Sequence, residues 1–313
     1  MGLIVRRDHR NRDGASIVDH VDARVHITEV PRLLFTGWRV RAAIQDFVPD
    51  VIHCHLRRSV RIVAKAAPRA ATVTTLHIGV NGPHFVQMGG IVCNARWQLA
   101  QIPAGYKGLL LKAHNSLTPH RRLSGTDIAT LRQELGIAPD DFLVGGVGRM
   151  TEIKGWDTLI QAVRLHPELD RLKVVLFGNG SALDQFKALA DGDSRIRFVG
   201  FRPDVKDFYQ AFDTFVCPSR FEPLPRVMLE AMDAGTPVIA SDADGCRELI
   251  EDYGGAMFPA GDAAALARLL LQQIQADKYR TSIDLSQHHI ANTNATMLDF
   301  YGRVITHQHQ PTI

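Results

Sequence analysis

The feature that most constrains this chain is a repeated order of short apolar, β-branched runs, each followed by a turn or a longer stretch of helical period. In the second half the runs cover 142–147, 173–177, 196–199, 214–216, 237–240 and 256–258. In the first half they are shorter: 3–5, 51–54, 72–75, 91–93 and 109–111. Parallel strands need long crossovers, so this alternation predicts parallel sheets covered by helices. The expected class is α/β, doubly wound in the second half.

At 313 residues the chain exceeds the usual size of one hydrophobic core, which predicts two domains. The polar stretch 115–125 (NSLTPHRRLSG) reads as the linker. The expected division is a first domain, 1–118, and a second, 119–284. Residues 285–313 are expected to form a C-terminal helix that packs back towards the first domain.

With 45% hydrophobic and 22% charged residues, the composition is that of a folded domain, and no run of apolar residues is long enough to span a bilayer. The opening MGLIVRRDHRNRDG lacks the apolar core of a secretory signal, so the expected location is cytoplasmic. Cys54, Cys93, Cys217 and Cys246 show no CxxC spacing and read as buried thiols. Residues 1–118 carry 16 Lys and Arg against 7 Asp and Glu, a net +9, and the remainder nets −6. A basic first half fits an anionic membrane surface, peripheral on its inner face, or a phosphorylated acceptor; solvated charge alone is the competing explanation. The basic residues are not interleaved with aromatics, so no nucleic-acid partner is expected.

Open parallel sheets bind ligands at the carboxyl ends of their strands, and three strand ends here are chemically loaded. The first, GGVGRMTEIKG, places Gly148, Arg149 and Lys154 where they can meet a diphosphate and neutralise the charge of a departing one without a metal. A glycine turn with surface cations is the plain alternative. The second, FGNGS, puts Gly180 in a turn before a helix, where free N–H groups can meet phosphate or merely turn the chain. The third, CPSRFEPLPRVMLEAM, sets Glu222 in a loop and Glu230 on a helix whose first position suits Pro225. Two carboxylates held apart can take hydroxyls from both ends of one nucleotide sugar.

These stretches, with DVIHCH, VTTLH, IRFVGF and GTPVIASDADGCRELI, resemble the retaining glycosyltransferases of family 4. The resemblance implies the GT-B fold, with two Rossmann-like domains facing across a cleft, and a lipopolysaccharide-type or other cell-envelope glycosyltransferase. It implies that Arg149 and Lys154 hold the diphosphate, Glu230 the ribose and Glu222 the donor sugar. It further implies that His77 faces the reacting sugar, that Gly180 lies near the nucleotide, and that 200–202, with Arg202, reads the base. The family often carries Gly where Pro225 stands. Proline has no N–H, so Leu224, Arg226 and Val227 are expected to supply the backbone donors.

The resemblance also implies a first strand and glycine turn that are not seen here. The chain is therefore expected to bind nucleoside diphosphate but transfer sugar poorly, and a chain extended upstream to transfer better. No cofactor beyond the nucleoside-diphosphate sugar co-substrate is expected, and no metal. His53 and His55 read as packed or hydrogen-bonded, Asp242 and Asp244 as a turn, and Glu248 as a residue that helps shape the nucleotide pocket. The expected function is transfer of a sugar, with retention, to a hydroxyl of a glycan or glycolipid acceptor. A nucleotide-sugar epimerase and an inactive nucleotide-sugar-binding homologue are the alternatives.

Overall fold

The computed structural model describes residues 1–10, 14, 16–167 and 169–308. Parts of two expectations, the charged opening at 11–13 and the tail at 309–313, lie outside the described residues. The chain divides into two compact units, Met1–Ala113 with Ala295–Ile313, and His114–Asn294. The division thus falls between Ala113 and His114, ahead of the expected linker.

The first unit runs β1 (Gly2–Arg6), β2 (His26–Val30), α1 (Thr36–Phe47), β3 (Val51–His55), α2 (Leu56–Ala66), β4 (Ala71–Leu76), β5 (Gly90–Cys93), α3 (Arg96–Leu99) and β6 (Leu109–Lys112). Strands β3 to β6 form one four-stranded parallel sheet in sequence order. All six residues of β4 are buried, as a strand covered on both faces requires. On one face Cys54, Leu76, Ile91 and Cys93 pack with Val60 and Val63 of α2. On the other, Ala71, Val73, Val92 and Ala113 pack with Phe300 and Val304 from the last helix. Strands β1 and β2 pair separately as a two-stranded parallel sheet. Strand β2 and helix α1 are additions to the sequence reading.

The second unit runs α4 (Gly125–Glu134), β7 (Phe142–Val147), α5 (Trp156–Arg164), β8 (Leu172–Phe177), α6 (Leu183–Ala190), β9 (Ile196–Gly200), α7 (Val205–Phe208), β10 (Thr214–Cys217), α8 (Arg226–Asp233), β11 (Val238–Ser241), α9 (Asp244–Tyr253), β12 (Ala256–Phe258) and α10 (Ala263–Gln275). The last helix, α11 (Ile290–Gln308), begins here, and its residues from Ala295 belong to the first unit. The six strands are parallel, in the order β12-β11-β10-β7-β8-β9. Chain order reverses between β7 and β10. At such a switch point the crossovers leave in opposite directions and open a crevice at the strands' carboxyl ends. Trp156, Leu159, Ile160 and Val163 of α5 pack with Leu266 and Leu270 of α10 and Phe186 of α6 in the core beneath.

Candidate active site

The loops after β7 and β10 stand side by side because β7 and β10 are neighbours at the switch point. Three sets of contacts stitch them together. Arg220 donates to both carboxylate oxygens of Asp157, at 2.8 and 2.5 Å, and to the Glu152 carbonyl at 2.8 Å. Its own backbone N–H donates to the Ile153 carbonyl at 2.8 Å. Gly155, at φ +67, lies so close to Pro218 that a Cβ there would sit 2.0 Å from that residue's carbonyl oxygen. Only glycine combines this left-handed conformation with that approach.

Lys154 and Glu222, 68 residues apart, therefore meet, and the Lys154 ammonium donates to Glu222 Oε2. Ser219 Oγ approaches the same oxygen at 3.4 Å, while Ser241 Oγ fixes the Ser219 carbonyl at 2.5 Å. Behind the pair, the Gly245 amide at the start of α9 donates to the Glu222 carbonyl at 3.0 Å. The sequence reading sent Lys154 to the diphosphate and Glu222 to the sugar; the structure joins them in one ion pair. Arg149 is exposed, and its carbonyl accepts from the Trp156 indole N–H at 3.0 Å.

Glu230 is held separately. Its Oε2 accepts from the Tyr209 hydroxyl at 2.9 Å, and its Oε1 lies 3.7 Å from the Arg226 guanidinium. Burial, reinforced by the Glu230 charge, pushes the Tyr209 phenol well up, so it stays a proton donor. Pro225 is the residue that caps α8 rather than its first helical position, with φ −77 and ψ 109, and it offers no side-chain cap. The N–H groups of Arg226 and Val227 thus open the helix without intrahelical partners. Leu224 is buried, and its carbonyl accepts from Asn115 Nδ2 at 3.0 Å.

The glycine turns have a structural cause of their own. Gly148 N–H donates to the Phe177 carbonyl and Met150 N–H to the Asn179 carbonyl, both at 3.0 Å, so the two loops extend the β7–β8 ladder. A Cβ on Gly180 would lie 2.3 Å from the Met150 carbonyl oxygen. A Cβ on Gly148 would lie 3.2 Å from the Trp156 ring, so this glycine lets the indole pack close to the strand end. Arg202 donates to Asp204 at 2.8 and 2.6 Å and to Glu134 at 2.5 Å, and lies 5.0 Å from the Phe208 ring centre. Its side chain is tied into the surface, and the Gly200 carbonyl accepts from the Gly178 amide at 2.7 Å. Asp242 accepts from the Ala260 amide at 2.8 Å, which ties the segments after β11 and β12 together; Asp244, expected in a turn, is the first residue of α9, and Glu248 is buried in that helix.

His77 belongs to the first unit, at the carboxyl end of β4, where it is exposed. Its Nε2 shares a hydrogen bond with His55 Nδ1 at 2.9 Å. Burial pulls both rings below the ordinary histidine range, His55 with a further push from His77. His53 sits between the Tyr301 hydroxyl at 2.6 Å and Thr75 Oγ1 at 2.7 Å, and burial, with His55 and His77 nearby, drives it to about 3. Sequence reasoning missed Arg220, Ser219 and Tyr209. Tyr209 and Glu230 are 21 residues apart, so the sequence carries no local signal of their pairing.

A family model described as glycosyl transferases group 1 matches residues 127–286. The lipopolysaccharide core biosynthesis glycosyltransferase LpsD of Rhizobium meliloti (strain 1021) is 31% identical over 278 residues, 84% of this chain and 76% of LpsD. The chain belongs to the group 1 glycosyltransferases. LpsE of the same organism, another lipopolysaccharide core biosynthesis glycosyltransferase, is 34% identical to this group 1 member over 164 residues. That stretch covers 51% of this chain and 47% of LpsE. Among solved structures, Anabaena HepE in complex with UDP and glucose superposes with a TM-score of 0.70 at 24% identity, covering 91% of this chain and 84% of HepE. The fold is the GT-B type, an α/β fold of parallel sheets.

Proposed function

We propose that this chain moves a sugar from a nucleoside-diphosphate sugar to a hydroxyl of a cell-envelope glycan or glycolipid, with retention at the anomeric carbon. The observation that carries the reading is the gathering, at the switch point of one parallel sheet, of the Lys154–Glu222 pair beside the uncapped start of α8 and its Glu230. The anomeric carbon's bond to the diphosphate oxygen breaks, and a bond to the acceptor oxygen forms as that hydroxyl gives up its proton. The departing diphosphate gains charge in this step. Arg149, Lys154 and the first N–H groups of α8 are the donors positioned to meet it. Lys154 would then leave Glu222 for phosphate, freeing the carboxylate to accept a sugar hydroxyl, while Glu230 accepts the ribose hydroxyls.

HepE was solved with UDP and glucose, so uridine diphosphate sugars are the first donors to try. The relatives named for lipopolysaccharide core biosynthesis support a core oligosaccharide as the acceptor class to try. An anionic membrane surface is the third partner, supported by the net +9 of residues 1–118. No described helix is long and apolar enough to cross a membrane.

The test is to incubate the chain with a panel of nucleoside-diphosphate hexoses, with and without core oligosaccharide acceptor, and to follow the anomeric proton by NMR. Glycoside of unchanged anomeric configuration is expected. An inverted product would refute retention. Epimerised donor formed without acceptor would mean an isomerase, and donor left intact throughout would mean a binding protein.

A further inference from the structure

The segment between β2 and α1 presents four large apolar side chains within six residues. Leu33 is 76% exposed, Leu34 75%, Phe35 74% and Trp38 64%. Isolated exposed apolar residues are ordinary, whereas a contiguous group marks a surface that meets something. The segment is held in this outward shape. Thr36 Oγ1 donates to the carbonyls of Pro31 at 2.7 Å and Leu33 at 3.1 Å, and the Arg58 guanidinium donates to Thr36 Oγ1 at 3.3 Å. Phe35 lies at φ +59, a left-handed conformation that a bulky residue rarely adopts, and its carbonyl accepts from the Arg39 amide at 2.9 Å.

Cations ring the apolar tip. Arg7 and Arg39 line a groove with Pro31, Phe35 and Trp38, and the Arg39 guanidinium lies 5.5 Å from the Trp38 ring centre. Arg32 and Arg41 are exposed alongside. The acidic groups nearby are Asp8, 3.7 Å from Arg32 and 3.1 Å from Arg6, and Glu29, which accepts from His9. Arg7, Arg39 and Arg41 have no carboxylate among these contacts.

We propose that the 31–39 segment is a membrane anchor that seats on an anionic lipid bilayer. Leu33, Leu34 and Phe35 enter the acyl boundary, Trp38 sits at headgroup level, and Arg7 and Arg39 take lipid phosphates in the groove. The charge chooses the occupant: a symmetric contact with a second copy would bring the same guanidinium groups near one another, whereas phosphate complements them. The inference rests on the membrane-surface reading above and gives it residues. It is separable from donor chemistry, because these residues lie in the first unit and Lys154, Glu222 and Glu230 in the second.

The test uses the full chain and extruded vesicles of phosphatidylcholine, with and without phosphatidylglycerol, at low and moderate salt. Retention by the phosphatidylglycerol vesicles at low salt is expected, with release as salt rises. The Leu34→Ser, Phe35→Ser double variant should lose roughly tenfold in apparent affinity while keeping the parent melting temperature, since both side chains are exposed. Brominated lipid should quench an emission component that is absent in Trp38→Phe. Retention undiminished in the double variant, or equal on neutral vesicles, overturns the anchor. So does a lipid-free dimer in sedimentation velocity that the double variant dissolves, which would make the occupant a second copy. Nucleotide binding by the double variant, followed by calorimetry, should match the parent; its loss would implicate the donor reading instead.

Discussion

On the proposed reading Lys154 is the residue on which the donor chemistry turns: its ammonium pairs with Glu222, and the departing diphosphate would draw on the same charge. The Lys154→Ala variant should therefore lose more in kcat than in donor affinity, since the charge matters most as the diphosphate leaves. Equal losses in steady-state kinetics would mean simple ground-state binding. The same substitution leaves a largely buried Glu222 without its cation, so a urea titration should show roughly 1 to 3 kcal/mol of lost stability. Glu230→Ala should weaken nucleotide binding by about 1 to 3 kcal/mol, with Glu230→Gln milder because it still accepts from Tyr209. Unchanged calorimetric affinity in the Ala variant would remove the ribose assignment. The residue types of this site were legible in the sequence, but the pairing was not. Nothing in TEIKG or SRFEP says that Arg220 will clamp Asp157 and so swing Lys154 onto Glu222.

At the scale of elements, the central strands were readable because each is a short, mostly apolar or β-branched run, as in β4 (ATVTTL) or β8 (LKVVLF), and such runs suit strands covered on both faces. Helix α1 was not readable. Its inward stripe is only Thr36, Val40 and the half-buried Ile44, while Trp38 and Phe47 point out, so the apolar residues do not mark the buried face. Strand β2 hides for a related reason, since only Val30 of its five residues is buried. The histidines on β3 give a pH prediction. His53 takes up a proton near pH 6.5 when unfolded but only near 3 when folded, so between these values the unfolded state binds more protons. Its contribution is full above pH 6.5 and is lost as pH falls, by up to about 1.4 kcal/mol per unit. Denaturation midpoints at pH 7.5 and 5 should converge in His53→Gln; an unaltered pH slope would place the effect elsewhere. The four cysteines are all buried, and burial pushes Cys54 up to about 12 and Cys93 to about 11. Ellman's reagent at pH 8 should find none of the four until guanidinium unfolds the chain.

For the whole molecule, the division of labour follows the two units. The second carries the switch-point crevice and its charged groups, and the first carries His77 and the apolar tip ringed by arginines. Charge asymmetry was visible in the sequence, whereas the exposed apolar tip beside Arg7 and Arg39 was not, because a short LLF run does not itself say which way its side chains turn. Transfer should persist in the presence of chelator if, as proposed, Arg149, Lys154 and the start of α8 meet the leaving charge; complete loss of turnover in EDTA would contradict that role. The central claim is that a nucleoside diphosphate sits at the carboxyl edge of the six-stranded sheet. Thermal unfolding against a panel of nucleoside diphosphates tests it most directly, because a ligand at a hundred times its dissociation constant stabilises the folded state by about 2.7 kcal/mol. At least one diphosphate should raise the melting temperature of the chain, with Glu230→Ala responding clearly less at the same concentration. No shift with any diphosphate, or an equal shift in the variant, would contradict it.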